Sequence, residues 1–272
     1  WIAAVVAWIA VLIGGALAWS WIRWRESMGA GDRPQKVPTR QQGHRLSMLS
    51  PLNSPSKGSI INAAALGNTG YLGYPIVLML VGPDHFAWAI LYDTLGSTLT
   101  SYGLGVALAA YFGHAVPLPF GETLRRVGRA VLRNPAMWSF WIGVSIRQIA
   151  LPPPIEAGTQ AIAWGVIALS LLLLGMRLSQ LSLRRHISAA MVSLGIKMLL
   201  VPGLIGCGLT LAGFDGAPRL VMVLQASMPP AFATLIIAEA YHLNIDLTVT
   251  TLALGTTAVL VTLPIWLFLF PV

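Results

Sequence analysis

Eight times along its 272 residues the chain runs through a long apolar stretch almost free of charge, and no other feature limits its fold as much. A bilayer core of about 30 Å takes roughly 20 helical residues at about 1.5 Å each. Blocks of that order lie at 1–22, 59–81, 86–112, 136–151, 158–176, 187–211, 218–240 and 246–270, the fourth being the shortest. Trp1 to Ile22 lacks the basic start and small-residue cleavage site of a signal peptide and reads as a full span. Composition agrees: 56% of residues are hydrophobic, 10% are charged and the mean hydropathy is +0.74. An ordinary soluble domain carries about 25% charge. A water-soluble enzyme, a disordered tail and a disulfide scaffold are excluded, the last because Cys207 is the single cysteine. A net charge of +8 would suit nucleic acid, but the basic residues sit between the apolar blocks. The partner they imply is a lipid bilayer, not a nucleic acid.

Positive charge also orients the spans. The link 23–58 carries Arg23, Arg25, Arg33, Lys36, Arg40, Arg45 and Lys57. The link 113–135 carries Arg125, Arg126, Arg129 and Arg133, and the link 177–186 carries Arg177, Arg184 and Arg185. The alternate links, 82–85, 152–157 and 212–217, carry no Lys or Arg. Fourteen of the 17 basic residues thus share one side, which the positive-inside rule makes cytoplasmic. The first block then runs outside to inside, the last ends outside, and the expected location is the cell's inner membrane. Residues 23–58 are rich in Pro, Gly, Ser and Gln without an apolar period and read as a mobile linker. Their Ser50-Pro51 and Ser54-Pro55 pairs read as ordinary linker sequence. In 120–133, Phe120, Leu124, Val127 and Val131 share one helical face while Arg125, Arg129 and Arg133 share another. That pattern predicts a short amphipathic helix lying against anionic headgroups.

Two blocks cannot be continuous lipid-facing helices. The second contains Gly67-Asn68-Thr69-Gly70-Tyr71-Leu72-Gly73-Tyr74-Pro75, with three glycines, an amide and a proline in nine residues. The seventh contains Gln225-Ala226-Ser227-Met228-Pro229-Pro230, where two prolines remove two backbone donors and free the carbonyls at 225 and 226. Inside a membrane, irregular backbone survives only where protein or a cavity satisfies it. The breaks lie five blocks apart, and a repeat with an odd number of spans must invert its second copy. If blocks four to eight form one repeat, the other needs two helices ahead of Trp1. A ten-helix parent with its first two spans missing is therefore the expectation. Gly67, Gly70 and Gly73 do not make a dinucleotide-binding loop, since no strand precedes them and their spacing is wrong.

The run Gly67 to Pro75 resembles the first broken helix of the auxin efflux carrier family, which includes plant auxin carriers and bacterial organic-acid permeases. Gln225 through Pro229 to Tyr241, followed by Thr256-Thr257 and Pro264, resembles that family's second broken helix and last span. Asn134-Pro135, opening the fourth block, also fits. The resemblance spans nearly the whole chain except 23–58. It implies a scaffold part, a transport part and an X-shaped crossing of the two broken helices at their prolines, with Asn68, Pro75 and Pro229 at the crossover by position. The fold class expected is an all-α integral membrane protein showing eight helices of a ten-helix (5+5) inverted-repeat transporter. Residues 1–112 would hold the last three helices of the first repeat, 113–135 the cytoplasmic link, and 136–272 the complete second repeat.

The candidate crossover and substrate-binding set is Asn68, Thr69, Gly70, Gly73, Pro75, Gln225, Ser227, Pro229 and Pro230. Broken helices expose N-terminal ends that favour anions and C-terminal carbonyls that favour cations. Charges within the blocks need a reason, because an ionisable group at the bilayer centre costs about 2.5–3.5 kcal/mol on insertion scales. Lys197 is positioned to meet an anionic substrate or to pair with a carboxylate. Asp93 is a candidate proton carrier or Lys197's partner. Glu239, near His242 and Asp246, reads as a wetted charge at the cytoplasmic end of its block, and Arg147 and Arg219 read as snorkelling at the outer ends. Pro202 should free the carbonyl at 198. No H-E-x-x-H, G-x-S-x-G or phosphate-binding loop occurs, so neither an enzyme, a metal site nor a cofactor is expected. The function these features favour is a secondary active carrier of small organic anions, carboxylates first, working by alternating access. A proton or sodium ion as coupling ion and a homodimer are the further partners this reading allows. The alternatives are a non-transporting receptor or assembly module that keeps the fold, and behind it an intramembrane enzyme.

Overall fold

The computed structural model describes residues 1–30, 52–113, 120–149, 151–179 and 186–272. Among them every regular element is helical, and each of the eight apolar blocks forms helix. Block one is α1 (Ile2–Ala30). Block two is α2 (Ser54–Ala65), a π-helical turn (Thr69–Gly73) and α3 (Tyr74–Leu80). Block three runs from α4 (Phe86–Leu91) through π-helical segments Tyr92–Thr98 and Ser101–Gly105 into α5 (Val106–Phe112). The predicted amphipathic segment is α6 (Phe120–Arg133), with Arg125, Arg129 and Arg133 exposed. Blocks four and five are α7 (Pro135–Ile146) and α8 (Pro153–Ser179). Block six is α9 (Ile187–Gly195), a π-helical segment (Ile196–Leu200) and α10 (Val201–Leu211). Block seven is split into α11 (Gly216–Ser227) and α12 (Ala233–Ala240), and block eight is α13 (Ile245–Leu269). Among the described residues four stretches are continuous helices long and apolar enough to cross a membrane: Ile2–Met28, Pro153–Leu173, Ile187–Leu211 and Ile245–Leu269.

The linker expected over 23–58 is shorter than its composition suggested. α1 continues through the Arg23–Glu26 stretch to Ala30, and Lys57 pairs with Glu26. At the other end Asn53 caps α2, accepting from the Ser56 N–H at 3.0 Å, with Pro55 in the first turn. An Asn cap followed by an early proline is a helix start that polar composition masks. The Ser54 hydroxyl donates to the Phe112 carbonyl at 2.8 Å, which makes it part of the structure. Ser50, Pro51 and the basic residues 33, 36, 40, 45, 184 and 185 lie outside the described residues.

The core is built from six blocks. Its largest apolar cluster joins α1 (Ala3, Ala7, Ala10, Ala18, Ile22), α2 (Ile60, Ala64), Tyr92 and Ala109 of block three, and Ala190, Val201, Met222 and Leu247. Two smaller clusters gather around Val77, Leu224 and Trp266, and around Leu72, Met198 and Met228. Among the described residues α7 and α8 supply none to these clusters, and none of the apolar window of Pro153–Leu173 is buried. α8 meets the rest at the first break and at α3.

Polar ties hold the six-block body together where helices begin. Asn244 caps α13, accepting from the Leu247 N–H at 3.0 Å, and its amide donates to Ser56 Oγ at 2.8 Å. Ser59 donates to the Asn244 carbonyl at 3.0 Å. The start of α13 is thereby fastened to the start of α2. Pro202 does free the Met198 carbonyl, and the Trp266 indole N–H occupies it at 3.0 Å. Arg219 does more than snorkel. Its guanidinium donates to Thr210 Oγ1 and to the Pro271 carbonyl, both at 3.2 Å, and lies over the Phe270 ring.

Candidate site at the helix crossing

The two broken blocks cross at their breaks and pair there as backbone. After α2 the chain turns extended at Leu66, and after α11 it turns extended at Met228. Gly67 and Pro230 form an isolated antiparallel bridge. The Asn68 N–H donates to the Pro229 carbonyl at 2.7 Å, and the Ala231 N–H donates to the Leu66 carbonyl at 3.0 Å. Each break thus satisfies part of the other, as buried backbone requires. The first break then re-enters helix through a π turn, closed by the Gly73 N–H donating to the Asn68 carbonyl at 3.1 Å, with Pro75 starting α3.

Lys197 sits behind this crossing. Its ammonium, almost fully buried, donates to the Ala226 carbonyl at 3.1 Å, one of the two carbonyls that Pro229 and Pro230 leave free. The other, on Gln225, accepts from the Met228 N–H at 3.4 Å. A cation at the last turn of a helix complements the helix dipole, and α11 ends here. Gly67 makes room for it, because a Cβ there would lie 2.9 Å from Lys197 Cε and 3.0 Å from Nζ. A similar fit occurs at Gly73, where a Cβ would run into the Gln225 amide. That amide is fully buried, and neither its Oε1 nor its Nε2 has a hydrogen-bond partner.

In front of the crossing lies a cavity of about 820 Å³. Its wall combines the first break, the polar side of block three, and the α12 side of the second break from Ala231 to Tyr241. Asn68 lines it with its Nδ2 buried and unpartnered, a donor held out of water with nothing to donate to. Asp93 lines it as well. Thr69 donates to Asp93 Oδ1, and Tyr74 donates to Oδ2 at 2.9 Å. The pairing of Asp93 with Lys197, one of the two roles expected for each, does not form. Gly67 faces Lys197 while Gly70 faces Asp93, so the first break runs between the two charges. The physical reason is this intervening backbone, and each charge is satisfied by neutral partners on its own side: a carbonyl for the ammonium, two hydroxyls for the carboxylate.

Of the residues expected from sequence, Asn68, Thr69, Gly70, Pro75 and Asp93 meet on the cavity wall. Gly73, Gln225, Ser227, Pro229, Pro230 and Lys197 build the crossing but do not line the cavity, and Ser227 spends its hydroxyl on the Leu224 carbonyl at 2.8 Å. Of the freed Gln225 and Ala226 carbonyls, expected to meet a ligand, the first accepts from Met228 and the second from Lys197, and the Pro229 carbonyl beside them accepts from Asn68. Glu239 is exposed and outside the lining. Sequence reasoning passed over Tyr71, Ser97, Thr98, Ser101, Tyr102, Phe232 and Tyr241, all on the wall. A signal was present for block three: its polar residues 93, 94, 97, 98, 101 and 102 recur on one helical face inside an apolar span.

A family model described as membrane transport protein matches residues 119–267. An uncharacterized transporter of Methanothermobacter thermautotrophicus is 34% identical over 218 residues, covering 79% of this chain and 68% of the relative. The uncharacterized transporter MJ1031 of Methanocaldococcus jannaschii is 24% identical over 215 residues, covering 79% of this chain and 69% of the relative.

Proposed function

Because the chain belongs to the membrane transport protein family, that of the auxin efflux carriers, and is a membrane transporter rather than an enzyme, we propose that it is a secondary carrier of small organic anions, carboxylates first. The crossing of its two broken helices is the site, and the carrier works by alternating access. The observation that carries this reading is Asn68. Its backbone is pinned to the second break and the residue lines the cavity, while its buried amide N–H₂ has no partner. A carboxylate oxygen is the acceptor such a donor lacks. Tyr71, Tyr102 and Phe232 give the rest of the wall an aromatic, partly apolar character suited to a small organic body.

Access follows from charge. The cavity extends from the crossing to Asn134 in the basic link 113–135, to Ser170 in block five, which leads into the basic link 177–186, and to Tyr241 at the end of block seven on the same side. With those links cytoplasmic, the cavity faces inward. The six packed blocks act as the transport part, and α7 with α8 belongs to the scaffold against which that part moves. This division keeps 1–112 and 136–272 as inverted halves, because blocks one to three pack with blocks six to eight while four and five stand apart. Calorimetric titration of the purified chain with phenylacetate and with succinate tests the proposal. Saturable binding of at least one is expected, and no binding of either would refute it.

A further inference from the structure

Asp93 stands in the wall of a cavity that we read as an anion site, and nothing basic stands with it. Among the described residues lining the cavity there is no Lys, Arg or His, and Asp93 is the one carboxylate. The groups that hold it are the neutral hydroxyls of Thr69 and Tyr74. Gly70 lies beside it, and a Cβ there would reach ordinary contact with Asp93 Oδ2 at 3.4 Å. Asn68, the donor for the anion, is the residue next to Thr69. A carboxylate ligand at Asn68 and an ionised Asp93 would then be like charges in one cavity, where neutralising one of them favours binding.

We propose that Asp93 takes up a proton when an organic anion binds at Asn68, so that anion and proton cross the membrane together. This rests on the anion reading above and adds the coupling ion to it. The proton forms an O–H on the Asp93 carboxyl as the anion arrives and leaves as the anion leaves, so a monocarboxylate crosses with no net charge. Thr69 is built to serve both states. Its hydroxyl donates to Asp93 when the carboxylate is ionised, and the Gly67 carbonyl, 3.5 Å from Oγ1, can receive that hydrogen when the carboxyl becomes the donor. Gly67 is the bridged residue of the crossing, so the proton is felt where the two breaks meet.

Other titratable groups do not replace Asp93 in this role. Of the elements packed against its segment, α4 and α7 carry none. The cavity contributes Tyr71, Tyr74 and Tyr102. On α1, Ala4, Ala7 and Trp8 touch this segment, and Arg23, Arg25 and Glu26 lie about four turns beyond Trp8. On α11, Arg219 is engaged with Thr210 and Pro271 at the far end. Lys197 is turned to the Ala226 carbonyl beyond Gly67.

The test counts protons. The purified full chain is titrated with phenylacetate and with succinate from about pH 6 to about pH 9, in pairs of buffers with different ionisation heats, which gives the protons taken up per anion bound. The parent should take up about one proton per anion at the alkaline end, with affinity falling about tenfold per pH unit there. Asp93→Asn, neutral at every pH, should bind with no proton uptake and with an affinity that no longer falls. Binding by the parent without proton uptake overturns the proposal and leaves the anion reading standing. So does proton uptake that persists in Asp93→Asn, or an affinity that follows sodium instead of pH. If Asp93→Asn does not fold, the parent's proton count decides alone. Failure of both probes to bind the parent overturns the anion reading, and the proposal falls with it.

Discussion

Asn68→Ala separates a ligand-binding amide from a structural one, because the two roles predict opposite signs. The Asn68 side chain is 3% exposed and its Nδ2 has no partner. A buried donor left unpaired costs about 1–3 kcal/mol, so deleting it should leave the empty protein as stable as before or up to that much more stable. The backbone bond from the Asn68 N–H to Pro229 survives the substitution, so the crossing itself stays closed. Binding should move the other way. A hydrogen bond to a charged acceptor is worth about 1.5–3 kcal/mol, which is a loss of about 10- to 150-fold in affinity for a carboxylate probe. Thermal melting of the detergent-solubilised protein reads the first quantity, and calorimetric titration with phenylacetate or succinate reads the second. Asn68→Asp, which removes the donor and adds a negative charge, should abolish binding at neutral pH. Lower melting with unchanged affinity in Asn68→Ala would refute the reasoning, since it would mean that the amide supports the break and not the ligand.

Three further outcomes follow from the same structure. In the Pro229→Ala, Pro230→Ala double variant, about 3 kcal/mol of regained helix propensity per proline stands against two bridge hydrogen bonds and the Lys197 bond, at about 0.5–3 kcal/mol each. Melting should move little while probe affinity falls, and a folded variant with parental affinity would remove the crossing from the site. Trp266→Phe strands the Met198 carbonyl and should cost about 1–3 kcal/mol, whereas adding Pro202→Ala returns an i→i−4 donor and should recover part of that loss; strictly additive melting shifts would refute the link. In a Cys207→Ser background, Arg129→Cys should react with a membrane-impermeant thiol reagent from the cytoplasm and Asp84→Cys from outside. Labelling of both from one side would overturn the orientation.

The sequence made the backbone plan readable and left its partners hidden. Glycine and proline act on the main chain wherever they stand, so Gly67 to Pro75 and Gln225 to Pro230 announced two breaks without any knowledge of the rest. A 3.6-residue alternation announced the helix over 120–133 for the same reason. What satisfies a freed carbonyl carries no such signature. Lys197 and Asp93 each needed a partner, and opposite charge made them look like each other's, yet the partners are a carbonyl and two hydroxyls. The Trp266 indole on Met198 is 68 residues from its acceptor, and nothing local to either residue foretells the contact. The wall of block three was missed because its hydroxyl residues are too mildly polar to interrupt an apolar span.

These hidden pairings also change what kind of site the crossing can be. Two broken helices suggest a binding place made of backbone: helix ends for an anion, freed carbonyls for a cation. Here the chain has used much of that backbone on itself. The Ala226 carbonyl holds Lys197, the Pro229 carbonyl holds Asn68, and the Leu66 carbonyl holds Ala231. A tethered ammonium thus stands where the helix end would otherwise favour a free cation. The polar side chains among the residues lining the cavity include Asn68, Asp93 and the hydroxyl residues of block three. Ligand choice should then follow those side chains and change with them, while the crossing, which they do not build, sets where they stand.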